Sequence, residues 1–331
     1  MSDVSIKSTV ADSMYFVNPG DTNPLGILHG GNLMNWLVST ATLAAASLSK
    51  GDALLGALDS VYFLNPIHVG DMVAIRAWVE YVGTSSMEVG IRAKSENPVT
   101  GDSRMTTYSH MAFVAVDLRG NPRPVGTKIR PASDEETVYA DAFRRWQNRR
   151  EKIQGRRELR NDISPLSQSS TFKMSFSRLV LSNDALYGDL MYAGRLLKLL
   201  DEFTGALATK YAKGIAVTGS VDETVFYYPI HVGDIINLEV ALTYVGRSSM
   251  EVGAKIVCTD PFTGTSHHAA TSFYTFVHID EKDRPAPVPE YKVSTKEEGL
   301  VWEAARARAE RRRTEVARLK EMINSGLPLL Y

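Results

Sequence analysis

Asp201 stands in RLLKLLDEFTG, four residues after Leu197 and three before Thr204, on the apolar stripe of a helix, while Glu202 faces Lys198 on another side. A carboxylate on a buried stripe is costly unless it is paired or used. It can activate a water as general base or attack directly as nucleophile, and the sequence leaves both open. A second set of groups lies in GDTNPLGILHGGNLM. Gly30 and Gly31, where another helix begins, present N–H groups able to hold an oxygen that gains negative charge, and glycine lets the backbone come close to a substrate. Asn23 can donate a side-chain N–H to the same oxygen or orient a water; its other reading is turn chemistry, common for Asn before Pro.

The elements that must bring these groups together are written twice. PIHVGD occurs at Pro66–Asp71 and at Pro229–Asp234, a displacement of 163 residues. The same displacement lays YVGTSSMEVG on YVGRSSMEVG and NPVTG on DPFTG, with no gap from about Gly30 to Asp117. So long a period indicates a duplicated domain and not a solenoid unit. The expected division is 1–160 and 161–331, each about the ordinary size of a domain.

Within each copy a helix precedes strands. Gly31–Ser47 is apolar on nearly every face and predicts a buried helix. Val73, Ile75, Ala77, Val79 and Tyr81 alternate with Arg76, Trp78 and Glu80, the pattern of a strand with one buried face; further strands at 87–93 and 105–116 flank turn signals at Asn97-Pro98 and Thr100-Gly101. The class is α+β: a long helix wrapped by an antiparallel meander, twice. After each sheet comes an Arg-rich helical stretch, 135–160 and 297–320, read as a solvated face whose charges suit the helix dipole.

Composition narrows the partners. A net charge of -1 and a pI near 6.7 give no field that would gather nucleic acid or a membrane surface. Cys258 is the single cysteine, which rules out an internal disulfide and a cysteine-built metal site. The opening residues show no leader pattern and no run approaches a membrane span, so the expected location is cytoplasmic. No P-loop, GxGxxG or HExxH spacing occurs, so neither a cofactor nor a metal is expected.

NPLGILHGGNLM, YPIHVGDIINL, YVGRSSMEVG and FVAVD together resemble the tandem hotdog-fold acyl-CoA thioesterases. The resemblance implies two hotdog domains paired as a double hotdog, active sites at the seam, a fatty acyl-CoA substrate and a homo-oligomer, often a trimer of fused chains. It also implies an asparagine before the Gly-Gly turn and an acid about two turns into the helix. The halves split that pair. Asn23 is in place in the first half, where Val38 holds the acid's position; Asp201 is in place in the second, where Ala185 or Leu186 replaces the asparagine. One composite site, Asn23 with Asp201, is expected, and the other seam should be dead. His29 is a possible helper, with Met191 taken as its counterpart. His68 and His231 are read as strand-turn residues. For the phosphates of CoA the candidates are the turns Thr84, Ser85, Ser86 and Arg247, Ser248, Ser249, whose amides, hydroxyls and one guanidinium suit an anion. A hydratase or dehydratase, or a non-catalytic acyl-CoA sensor, are the alternatives on the same fold.

Overall fold

The first helix, α1 (Gly30–Ser49), is buried along Leu33, Met34, Leu37, Val38, Ala41, Ala44 and Ala45, as its composition predicts, and it ends on Lys50 in the left-handed region (φ 54°). The repeat reproduces both features: α3 (Ala193–Ala212) ends on Lys213 at φ 55°. The chain is a computed structural model describing residues 3–154, 158–164, 166 and 170–325.

Around the helices runs one sheet of twelve strands. The first half contributes β1 (Ala11–Phe16), β2 (Ala53–Leu58), β3 (Val61–Tyr62), β4 (Met72–Val82), β5 (Ser86–Glu96) and β6 (Ser103–Ala115). The second contributes β7 (Lys173–Leu179), β8 (Ala216–Val221), β9 (Thr224–Phe226), β10 (Ile235–Val245), β11 (Ser249–Thr259) and β12 (Ser266–His278). Their order is β1-β4-β5-β6-β2-β9-β12-β11-β10-β7, with β8 joining β12 to β3. All of these pairings are antiparallel, and hairpins join β4 to β5, β5 to β6, β10 to β11 and β11 to β12. This is the double hotdog that the sequence predicts: two long helices, each wrapped by its own half of a continuous sheet.

The seam maps onto itself. Leu58 pairs with Thr224, and a shift of 163 residues turns that pair into Val221 with Val61, which is also formed. The helices cross with the same reciprocity. A Cβ on Gly31 would lie 2.9 Å from the Lys198 carbonyl, and one on Gly194 would lie 2.7 Å from Asn35 Oδ1, the residue equivalent to Lys198. Glycine at these positions is what lets α1 and α3 touch. The PIHVGD turns are structural in both halves: Asp71 and Asp234 accept the amides of His68 and His231, and Gly70 and Gly233 sit at φ 91° and 96°.

The Arg-rich helices are solvated along one face, as expected, and depart from expectation on the other. α2 (Glu136–Gln154) and α4 (Lys296–Asn324) lie on the outer face of the sheet and turn arginines inward. Arg145 binds Glu80, and Arg149 reaches Glu88 at 3.1 Å and Asp59 at 2.7 Å. In the second half Arg308 binds Glu251, and Arg312 holds Asp222 and Glu251, each at 2.7 Å. The supposed solvent face of β4 is therefore covered, with Trp78 and Glu80 buried. Burial pushes the Glu80 and Glu88 carboxyls up to about 7 against the pull of the arginines, and the carboxylates raise Arg149 despite its own burial.

Candidate active site

The loop before α1 is organised by Asn23. Its Oδ1 accepts the amides of Leu25 (3.0 Å) and Ile27 (3.1 Å), which fixes the amide orientation and leaves Nδ2 as donor. The turn reading of Asn23 is thus correct for one end of its side chain. Asn23 also lines a groove of about 740 Å³, together with His29, Gly30 and Thr218.

Asp201 enters from the second half and is fully buried. Its Oδ2 accepts the Gly31 amide at 2.7 Å and its Oδ1 accepts the Thr218 hydroxyl at 2.7 Å. His29, the partly exposed N-cap residue of α1, has Nδ1 3.0 Å from Oδ2 and 3.3 Å from the Gly31 amide, whose proton it can accept only when it does not donate to Asp201. Burial disfavours the imidazolium, but the hydrogen bond and charge of Asp201 outweigh it, so the His29 pKa is raised. The structure thus brings Asn23 and Asp201 to one seam, with the carboxylate set behind the groove wall. Its neighbours Gly30, His29 and Thr218 form that wall, and Glu202, which pairs with Lys198 at 3.9 Å, also lines the groove.

The two glycines have separate tasks. The Gly31 N–H is committed to Asp201, which corrects its expected place as an oxyanion donor; its service is close helix packing. Gly30 is the first residue of α1, its N–H has no intrahelical acceptor, and it lines the groove. A Cβ there would come within 2.6 Å of Thr218.

Thr218 was missed at the sequence level. It stands opposite Leu55 in the repeat, so the comparison that set Asp201 against Val38 would have found it one strand later. The counterpart of His29 is Tyr192, the cap of α3, and not Met191. At the second seam Val38, Leu55 and Leu186 line an apolar cavity of about 70 Å³, which makes Leu186, not Ala185, the replacement for Asn23.

The turns expected to meet phosphate lie elsewhere. Ser86 Oγ accepts from Trp146 Nε1 at 2.8 Å, and the carbonyls of Thr84 and Ser85 accept the amides of Val125 and Ala115. Thr84, Ser85 and Ser86 line a separate groove with Lys128 and Arg150. The carbonyls of Arg247, Ser248 and Ser249 accept the amides of Val288, His278 and Gly246. None of the six is among the residues lining the groove that holds Asn23.

The profile of the thioesterase superfamily matches at residues 25–101 and again at 188–263, one match on each half. The cytosolic acyl coenzyme A thioester hydrolase of Rattus norvegicus is 25% identical over 311 residues, covering 88% of this chain and 80% of that protein. YkhA of Bacillus subtilis, described as an uncharacterized acyl-CoA thioester hydrolase, is 34% identical over 147 residues, covering 44% of this chain and 86% of its own. Among solved structures, an acyl-ACP thioesterase from Bacteroides thetaiotaomicron superposes with a TM-score of 0.51 at 12% identity, over 82% of this chain and 100% of that one, a likeness of fold alone. The 34% identity to YkhA across 86% of that protein, with the superfamily profile matched once on each half, makes this chain a member of the thioesterase superfamily, in its tandem double-hotdog form.

Proposed function

We propose that this chain is an acyl-CoA thioesterase that hydrolyses fatty acyl-CoA to the free acid and CoA at a single composite site. The observation that carries the reading is the bond from Gly31 of the first half to Asp201 of the second, placed behind a groove lined by Asn23, Gly30 and Thr218. The relatives from rat and Bacillus subtilis are acyl-CoA thioester hydrolases by name.

In the proposed reaction a water oxygen attacks the thioester carbonyl. Its proton passes to Asp201, through the Thr218 hydroxyl or the His29 imidazole that connect the carboxylate to the groove. The Gly30 amide and Asn23 Nδ2 hold the oxyanion. The carbon–sulfur bond then breaks, and the proton is returned to the departing thiolate. This sequence routes no step through a metal or cofactor, so a chelator should leave the rate unchanged. The fusion suits a homo-oligomer, with a homotrimer of double hotdogs as the assembly to test by light scattering. Among the described residues no helix is long and apolar enough to cross a membrane, and the cytosolic name of the rat relative supports a cytoplasmic location.

Thiol release from a panel of acyl-CoAs, acetyl to palmitoyl, tests the proposal. Wild type should release thiol and Asn23→Ala should lose roughly 10- to 100-fold in turnover. Binding of acyl-CoA without thiol release would overturn it in favour of a sensor, and hydration of an enoyl-CoA in favour of a hydratase.

A further inference from the structure

α4 is longer than its counterpart. In the first half Leu159–Asn161 is already a short 3-10 turn, whereas the matching residues Met322–Asn324 are still α-helical. The extension crosses the seam. Arg312 ties α4 to Asp222 and Glu251, and beyond it Leu319 is buried in a cleft walled by Tyr62 and Val138 of the first half. Anchored on both sides, the last turns deliver Lys320 to the catalytic groove.

Lys320 is the only lysine or arginine among the described residues lining that groove. The acids that line it are already matched: Glu202 with Lys198 at 3.9 Å and Asp283 with His68 at 3.4 Å. Lys320 is exposed and has no hydrogen-bond or ion-pair partner among the described residues. Without it, the mouth would hold no spare cation; with it, the mouth presents one ammonium to an anionic ligand. A cation in the last turns of a helix also suits the helix dipole, and that role alone would affect stability and not substrate choice.

We propose that Lys320 anchors a phosphate of the CoA moiety at the groove mouth, making it a specificity residue for CoA thioesters over thioesters that carry no phosphate. The proposal rests on the thioesterase reading above. The test compares decanoyl-CoA with decanoyl-N-acetylcysteamine, which offers the same thioester and no phosphate, in wild type, Lys320→Met and Lys320→Arg. Lys320→Met should raise KM for decanoyl-CoA about five- to tenfold at low salt with kcat unchanged, and weaken the salt dependence of kcat/KM. Lys320→Arg should restore KM, and KM for the N-acetylcysteamine thioester should not move. An unchanged KM for decanoyl-CoA, or equal changes for both substrates in a variant with unaltered melting, would overturn the anchor. A folded wild type that hydrolyses neither substrate would instead remove the thioesterase reading, and this assignment with it.

Discussion

Replacing Asp201 with valine copies into the second half what the first half already carries at Val38. The substitution removes two hydrogen bonds of 2.7 Å and the His29 contact of 3.0 Å from a fully buried position. The Thr218 hydroxyl can rotate and the partly exposed His29 ring can change tautomer or take water. The Gly31 amide cannot move and keeps only His29 Nδ1, at 3.3 Å, as acceptor, so the main cost is one poorly satisfied buried N–H, about 1–3 kcal/mol. Loss of a buried charge and the fit of a β-branched side chain offset part of this, leaving about 1–2 kcal/mol and a melting shift of a few degrees. The kinetic cost is larger. Loss of a positioned base should lower turnover about 10²–10⁴-fold, or roughly 3–5 kcal/mol of barrier at about 1.4 kcal/mol per tenfold. Thiol release and thermal melting on Asp201→Val and Asp201→Asn separate the two effects. A folded Asp201→Val that keeps more than a tenth of wild-type turnover would refute the assignment. Activity that survives in Asp201→Asn but not in Asp201→Val would reduce Asp201 from base to positioning residue.

Gly31→Ala should lower turnover at least tenfold and the melting temperature by several degrees, because its Cβ would meet the Lys198 carbonyl at 2.9 Å and the Asp201 Cβ at 3.1 Å; a variant with unchanged rate and melting would show that the helices can part freely. Glu80 and Glu88 titrate near 7 in the folded chain and near their ordinary 4.5 when unfolded, so the native state binds protons that the unfolded chain has released. Their contribution to stability is present below about pH 4.5 and falls as pH rises to about 7. Melting followed across this window should show Glu80→Gln with a shallower fall than wild type, and identical profiles would count against the reading.

The repeat made much of the fold legible, because a displacement of 163 residues carries turn glycines, strand alternation and helix caps together. It also exposed the split of Asn23 and Asp201, since a polar residue set against an apolar one at the same position marks a difference in use. Thr218 was legible by the same rule, as a hydroxyl set against Leu55. The roles of Gly30 and Gly31 could not be separated in advance: two adjacent amides look alike until the partner helix shows which one Asp201 takes. The covered face of β4 was misread for a different reason. Charged residues alternating with apolar ones look the same whether water or an arginine-bearing helix lies above them, and only the pairing of Arg145 with Glu80 tells the cases apart.

The apolar second seam, with Val38, Leu55 and Leu186 in place of the reactive set, bears on how the chain tolerates mutation. A symmetric pair of identical modules would hold two workable centres, and one lesion would leave the other running. Here each module carries one member of the Asn23–Asp201 pair, so under the proposed mechanism a single lesion at either end should lower the whole output of the chain. Self-association of the leading module would lack the acid, and of the trailing module the asparagine. Covalent linkage in one polypeptide favours the unlike pairing and leaves the apolar seam to serve cohesion.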